Sequence, residues 1–63
     1  MFIELNNKQL LNLFWLDDVY QDPHDKTRII YVMINGSKRI EVENSEEEAT
    51  SRVTSIRNKL LSE

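Results

Sequence analysis

His24 is the one histidine of a 63-residue chain that has no cysteine, and it stands between Asp22 and Asp25 in the run QDPHDK, residues 21–26. A histidine flanked by carboxylates could hold a metal or pass protons, but a turn histidine among solvated acids accounts for the same residues. The spacing D-x-[DN]-x-[DN]-G of a calcium loop is absent. Asp17 and Asp18 are adjacent, so on a strand their carboxylates diverge and cannot share a proton. Ser37, Ser45, Ser51, Ser55 and Ser62 include no G-x-S-x-G elbow. Gly36 is the single glycine, which excludes a phosphate-cradling loop. The expectation is a protein without catalytic residues, metal, cofactor or small-molecule substrate.

The side chains left for function are those that bind. Trp15, with Phe14 or Tyr20, is a candidate anchor for a protein partner, because aromatic residues dominate binding hot spots. The competing expectation is that Trp15 fills the core beneath a helix. Glu41, Glu43, Glu46, Glu47 and Glu48 form an acidic run that could imitate phosphates, or simply a solvated strand edge followed by a helix start. The formal net charge is −3. Residues 1–27 hold five acids against two bases, and residues 28–63 hold six of each. Without a basic patch to neutralise phosphates, direct nucleic-acid binding is not expected. The opening MFIELNN has no basic segment leading into an apolar run, and no stretch approaches the roughly 20 apolar residues of a membrane span. Both features predict a cytoplasmic protein.

The elements that must position these residues centre on TRIIYVMINGSKRIEVEN, residues 27–44. Asn35-Gly36 reads as a two-residue hairpin turn, since both residues tolerate positive φ. Although NGS is also a glycosylation acceptor pattern, it is read here as that turn. Such a turn sets Ile34 against Ser37, Tyr31 against Ile40 and Ile29 against Val42. It gathers Ile29, Tyr31, Met33, Ile40 and Val42 on one face as the core. Ile30, Val32 and Ile34 then share the other face with Ser37, Arg39 and Glu41. A slip of one residue would reverse the faces of the second strand.

Ahead of this hairpin, residues 2–5 read as a first strand with Ile3 and Leu5 on one side, followed by a turn at Asn6-Asn7-Lys8. Residues 9–21 read as a strand, bent or bulged near residues 12–14; a helix over residues 9–20 is the alternative, although Asp17 interrupts its apolar stripe. Pro23 ends that strand in the polar connection. Ser45 with Glu48, or Asn44 with Glu47, forms a capping box for a helix over residues 45–61. Ala49, Val53, Ile56 and Leu60 make its apolar face.

The expected fold is one α+β domain over residues 1–63. It has a small antiparallel sheet of three to four strands, near residues 2–5, 9–21, 27–34 and 37–43, followed by one C-terminal amphipathic helix. One helix covers one face of a sheet. Strands 10–16 and 29–34 are apolar on both faces, so a second body is expected on the far side, with Phe14, Trp15, Tyr20, Ile30, Val32 and Ile34 as its contacts. A domain this small, with no disulfide, commonly gains stability by association, and a homodimer is the simplest form.

With the hairpin and cap laid out, the chain resembles the small flagellar proteins of the FlbD or swarming-motility SwrD type. The matching positions are Ile3 and Leu5; Leu11, Asn12 and Leu16; Thr27 to Ile34 leading into Asn35-Gly36; Ile40 and Val42; then Glu43, Ser45, Glu47 and Glu48. The resemblance implies a non-enzymatic accessory role in flagellar motor force and swarming. Similar strand-strand-strand-helix patterns occur in small phage-encoded proteins, which gives the second expectation: an inhibitor that binds and blocks a host protein, through its acidic surface.

Overall fold

In the computed structural model, which describes Met1–Ser62, each hairpin begins from a turn that its own side chains close. Strands β1 (Phe2–Glu4) and β2 (Leu10–Asn12) form a two-stranded antiparallel sheet. A three-residue 3-10 turn, Leu13–Trp15, leads into β3 (Leu16–Asp22), which pairs antiparallel with β4 (Asp25–Met33). Strand β5 (Lys38–Val42) pairs with the other edge of β4, and helix α1 (Glu46–Leu61) closes the chain. The fold is α+β, with sheet orders β1-β2 and β3-β4-β5.

The segment expected as one bent strand over residues 9–21 is therefore two strands in two sheets. The break has a local cause: Asn12 Oδ1 accepts a hydrogen bond from the Phe14 N–H at 3.0 Å, and the Leu13 N–H donates to the Met1 carbonyl at 2.9 Å. An asparagine that satisfies the backbone two residues on draws the chain out of the ladder. Phe14 and Trp15 sit on the resulting corner.

The β4–β5 turn is longer than Asn35-Gly36 alone predicts. The Gly36 N–H donates to the Met33 carbonyl and the Met33 N–H to the Ser37 carbonyl, so the loop is Ile34-Asn35-Gly36. Asn35 Oδ1 accepts from the Ser37 N–H at 2.9 Å and from its hydroxyl at 2.7 Å, and only Gly36 takes a positive φ, 88°. This is a three-residue loop with glycine in the left-handed position. Its register sets Ile30 against Ile40, Ile29 against Glu41 and Tyr31 against Arg39. The faces of β5 are consequently reversed. Glu41 enters the core, while Ile40 and Val42, expected inside, are exposed.

The first hairpin repeats this turn. The Leu5 N–H donates to the Gln9 carbonyl, the Lys8 N–H to the Leu5 carbonyl, and the Gln9 N–H to Asn7 Oδ1. Lys8 occupies the position that glycine holds in the second turn, with φ 71°.

The core lies between the inner face of the three-stranded sheet, the β1–β2 hairpin and α1. Val19, Ile29, Tyr31 and Met33 come from the sheet, Ile3, Leu5 and Leu11 from the hairpin, and Ala49, Val53 and Ile56 from the helix. Leu60 packs against this cluster, completing the expected helical stripe. Ser45 caps the helix, its Oγ accepting from the Glu48 N–H at 3.1 Å. Acids in the first turn and Lys59 in the last oppose the helix dipole.

The two turns make a matched test. No atom lies within 4 Å of a Cβ built on Gly36, so Gly36→Ala adds only backbone strain. It is expected to cost about 1 kcal/mol, and Lys8→Gly to relieve up to about the same. In a domain of this size such changes move the thermal midpoint by roughly 4–8 °C in opposite directions, which a circular-dichroism melt of each variant checks.

Candidate interaction surface

The register that brings Glu41 inside builds one polar cluster in the core. Glu41, 2% exposed, accepts from the Tyr31 hydroxyl at 2.5 Å and from Arg52 Nε at 3.3 Å through Oε1, and from the Asn6 N–H at 2.8 Å through Oε2. Arg52 also donates to the Glu4 carbonyl at 2.8 Å, and Asn6 Nδ2 to the Val42 carbonyl. Four elements of the chain thus meet on one carboxylate. Burial, then the hydrogen bond and charge of Glu41, push the Tyr31 phenol well above its usual value. Burial works against the charged Arg52, and the Glu41 carboxylate beside it more than offsets this, raising its pKa. The partly buried Glu43 carboxyl is also raised, by burial and by the neighbouring Glu41.

With Tyr31 fully buried and the Glu41 side chain 1% exposed, this cluster has no open face toward a substrate and acts within the fold. Glu41 accordingly leaves the expected acidic surface. Glu46, Glu47 and Glu48 remain exposed on the first helical turn, with Glu43 half-buried beside them.

His24 and its acids are absorbed by the turn. The His24 N–H donates to Asp22 Oδ1, and Asp25 accepts from the hydroxyl and N–H of Thr27, which hold its carboxyl below the usual range. Among the described residues no group of three or more His, Cys, Asp or Glu side chains could hold a metal. No described helix is long and apolar enough to cross a membrane.

An apolar row crosses the outer face of the three-stranded sheet. Because the helix and the first hairpin both pack on the inner face, no described element lies over the outer one. Tyr20 opposes Ile30 and Ile30 opposes Ile40, an unbroken apolar row across all three strands. Asp18, Val32 and Lys38 form the next row, and Arg28 with Val42 lie on the far side, Arg28 Nε 3.9 Å from Asp22. Tyr20, Ile30 and Val32 are half-buried by their neighbours, and Ile40 and Val42 stand 46% and 56% exposed.

The other expected contacts lie elsewhere. Ile34 has left the strand for the hairpin loop, where its N–H donates to the Trp15 carbonyl at 2.8 Å. Trp15 is 60% exposed and does not fill the core; with Ile34, Met33 and Arg39 it lines a groove of about 300 Å³ at the hairpin tip. Phe14, 71% exposed, turns instead toward Met1 and Leu60 at the end of the helix. The six expected contacts therefore divide into the outer face (Tyr20, Ile30, Val32), the tip (Trp15, Ile34) and Phe14.

Ile40 and Val42 are the surface residues that sequence reasoning assigned to the core. A clue was present: Gly36 follows Asn35 and precedes Ser37, an order that serves a three-residue loop as well as a two-residue one.

No family model matches the chain, and no curated protein or solved structure is similar to it at a significant level.

The Tyr31–Glu41 pair gives stability a pH signature. In the unfolded chain the phenol ionises near its ordinary 10.0, whereas the folded protein holds the proton to higher pH. The contribution is therefore complete below that value and is lost as pH rises through the alkaline range. Tyr31→Phe is expected to cost about 1.5–3 kcal/mol near neutrality. Urea midpoints of both proteins at about pH 8 and about pH 11 test this, because the gap should narrow at the higher pH. A gap of constant size would contradict the assignment.

Proposed function

We propose that this chain is a non-enzymatic protein-interaction module that works through the outer face of its three-stranded sheet. The observation that carries this reading is the apolar row Tyr20–Ile30–Ile40, flanked by Val32 and Val42 and left without a covering layer. Contiguous exposed apolar surface on a small soluble domain commonly marks a binding site. The charges around it, Asp18, Asp22, Arg28 and Lys38, include both signs, which suits a protein surface better than a phosphate backbone. Trp15 and Ile34 offer a second contact at the tip.

The resemblance to the FlbD and SwrD type supports a motility accessory as the biological form of this module, acting in the cytoplasm on a component of the flagellar apparatus. The exposed acids Glu46, Glu47 and Glu48, at the positive end of the helix, favour a second form: a phage-type inhibitor whose acidic surface engages a basic site on a host protein. Flagellar or phage genes beside the coding sequence separate the two.

Ile40→Lys, at an edge-strand position 46% exposed, places a charge on the outer face without disturbing an inner contact. It should leave the urea midpoint nearly unchanged, within about 0.5 kcal/mol, as is usual for surface positions. Capture of a binding partner by the immobilised protein should fall about tenfold or more, as expected for a hot-spot position. Trp15→Ala should likewise weaken binding more than stability. Loss of stability and binding in equal measure would return these residues to a purely structural role.

A further inference from the structure

We propose that the free edge of β5 receives an extended, acid-bearing segment of another protein as an added antiparallel strand. The edge is a second contact beside the outer face, and its use does not rest on that reading.

The two edges of the sheet are finished differently. On β3, the Val19 N–H is bonded to Asp18 Oδ1 at 2.8 Å, and its carbonyl accepts from Arg57 Nε and Nη2 at 3.0 and 2.8 Å. On β5, the Met33 N–H bonds the Ser37 carbonyl and the Glu43 N–H bonds the Thr27 carbonyl, which fixes the alternation between them. Arg39 and Glu41 therefore aim their backbone groups at β4, while Lys38, Ile40 and Val42 aim theirs away. Asn6 Nδ2 takes the Val42 carbonyl. Among the described residues nothing takes the N–H or carbonyl of Lys38 or Ile40, and residues 38–40 are all exposed. Two donors and two acceptors thus alternate along an open strand, and what matches them is the backbone of another strand. Every strand pair in the fold is antiparallel, which sets the expected direction.

The side chains around these groups select the strand. Lys38 and Arg39 are both cationic and neither is paired with a carboxylate among the described residues; Arg39 reaches only the neutral Gln9 Oε1, at 3.2 Å. An acid opposite each is the complementary choice. Ile40, 46% exposed, asks for an apolar neighbour. Ser37 and Arg39 also line the tip groove with Trp15, Met33 and Ile34, so the residue opposite Ser37 falls at that groove and should be aromatic or apolar.

A second copy of β5 does not meet these requirements. Paired through the four free groups, with Lys38 opposite Ile40 of the other copy, it sets Arg39 against Arg39. Shifted so that Ile40 opposes itself, it needs the Val42 carbonyl that Asn6 holds, and it sets Arg39 opposite Glu41, which is 2% exposed.

The capped peptide Thr-Val-Glu-Glu-Phe-Thr carries the matching order, with valine beside Ile40, the glutamates beside Arg39 and Lys38, and phenylalanine at the groove. Titrated into ¹⁵N-labelled protein, it should shift the amide resonances of Lys38 and Ile40 and slow their hydrogen exchange. So few backbone bonds give a dissociation constant on the order of 0.1–1 mM. Methylation of the Ile40 backbone nitrogen, introduced by chemical synthesis, removes one outward donor and leaves the β4 ladder and every side chain in place. Lys38→Pro removes the other, at a position where an edge strand tolerates proline. Each should still fold, as a circular-dichroism melt checks, and bind the peptide about tenfold more weakly or worse. Lys38→Glu combined with Arg39→Glu should lose this peptide and take up its counterpart with lysines in place of the glutamates. No shift at about 5 mM peptide would overturn the added strand, as would binding that survives both backbone changes. Shifts centred on Tyr20 and Ile30 instead of Lys38 and Ile40 would overturn it too, by assigning the peptide to the outer face.

Discussion

A single buried carboxylate, Glu41, governs how the parts of this chain fit together. Removing an acid from water is costly unless its oxygens are satisfied, and here they are met from three directions: β4 through Tyr31, α1 through Arg52, and the end of the first hairpin through Asn6. These partners are far apart in sequence, so the arrangement exists only when all the elements are in place. Buried charge of this kind is weak evidence for stability and better understood as a means of fixing register. The β5 register that satisfies Glu41 is also the one the three-residue loop at Ile34-Asn35-Gly36 imposes. Local turn chemistry and a long-range polar cluster agree, which is the consistency expected of a sequence that selects one structure.

The same register determines what the molecule presents outward. Each strand residue has only two faces available, so drawing Glu41 and Arg39 to the inner side turns Ile40 and Val42 out. The apolar surface that would otherwise have joined the core extends the row begun by Tyr20 and Ile30. Internal polarity and external greasiness are two sides of one alignment. The functional reading depends on that exchange.

The C-terminal helix was legible in the sequence because its signals are local: a serine cap, three acids in the first turn and apolar residues at helical spacing. The α+β class and the polar turn at Asn6-Asn7-Lys8 were legible for similar reasons. The size of the second loop was not, because Asn-Gly suits two loop lengths and the choice rests on the Asn35 side chain bonding Ser37. The division of residues 9–21 between two sheets turns on one asparagine, Asn12, whose effect shows only once Met1 and Phe14 are in position. Nothing in the local sequence around Arg52 and Arg57 signals the contacts they make. Their partners, Glu41 and the Val19 carbonyl, lie 11 and 38 residues away in the chain, beyond the reach of any spacing rule.

Arg57 carries a consequence for how the sheet meets other chains. Its guanidinium closes the exposed rim of β3 from a position one turn short of the helix end, where helices unwind most readily. Each transient unwinding there releases the Val19 carbonyl and leaves a bare strand margin able to recruit other chains. The protection of this margin is therefore tied to the breathing of the helix terminus, an opening that amide exchange in that last turn would report.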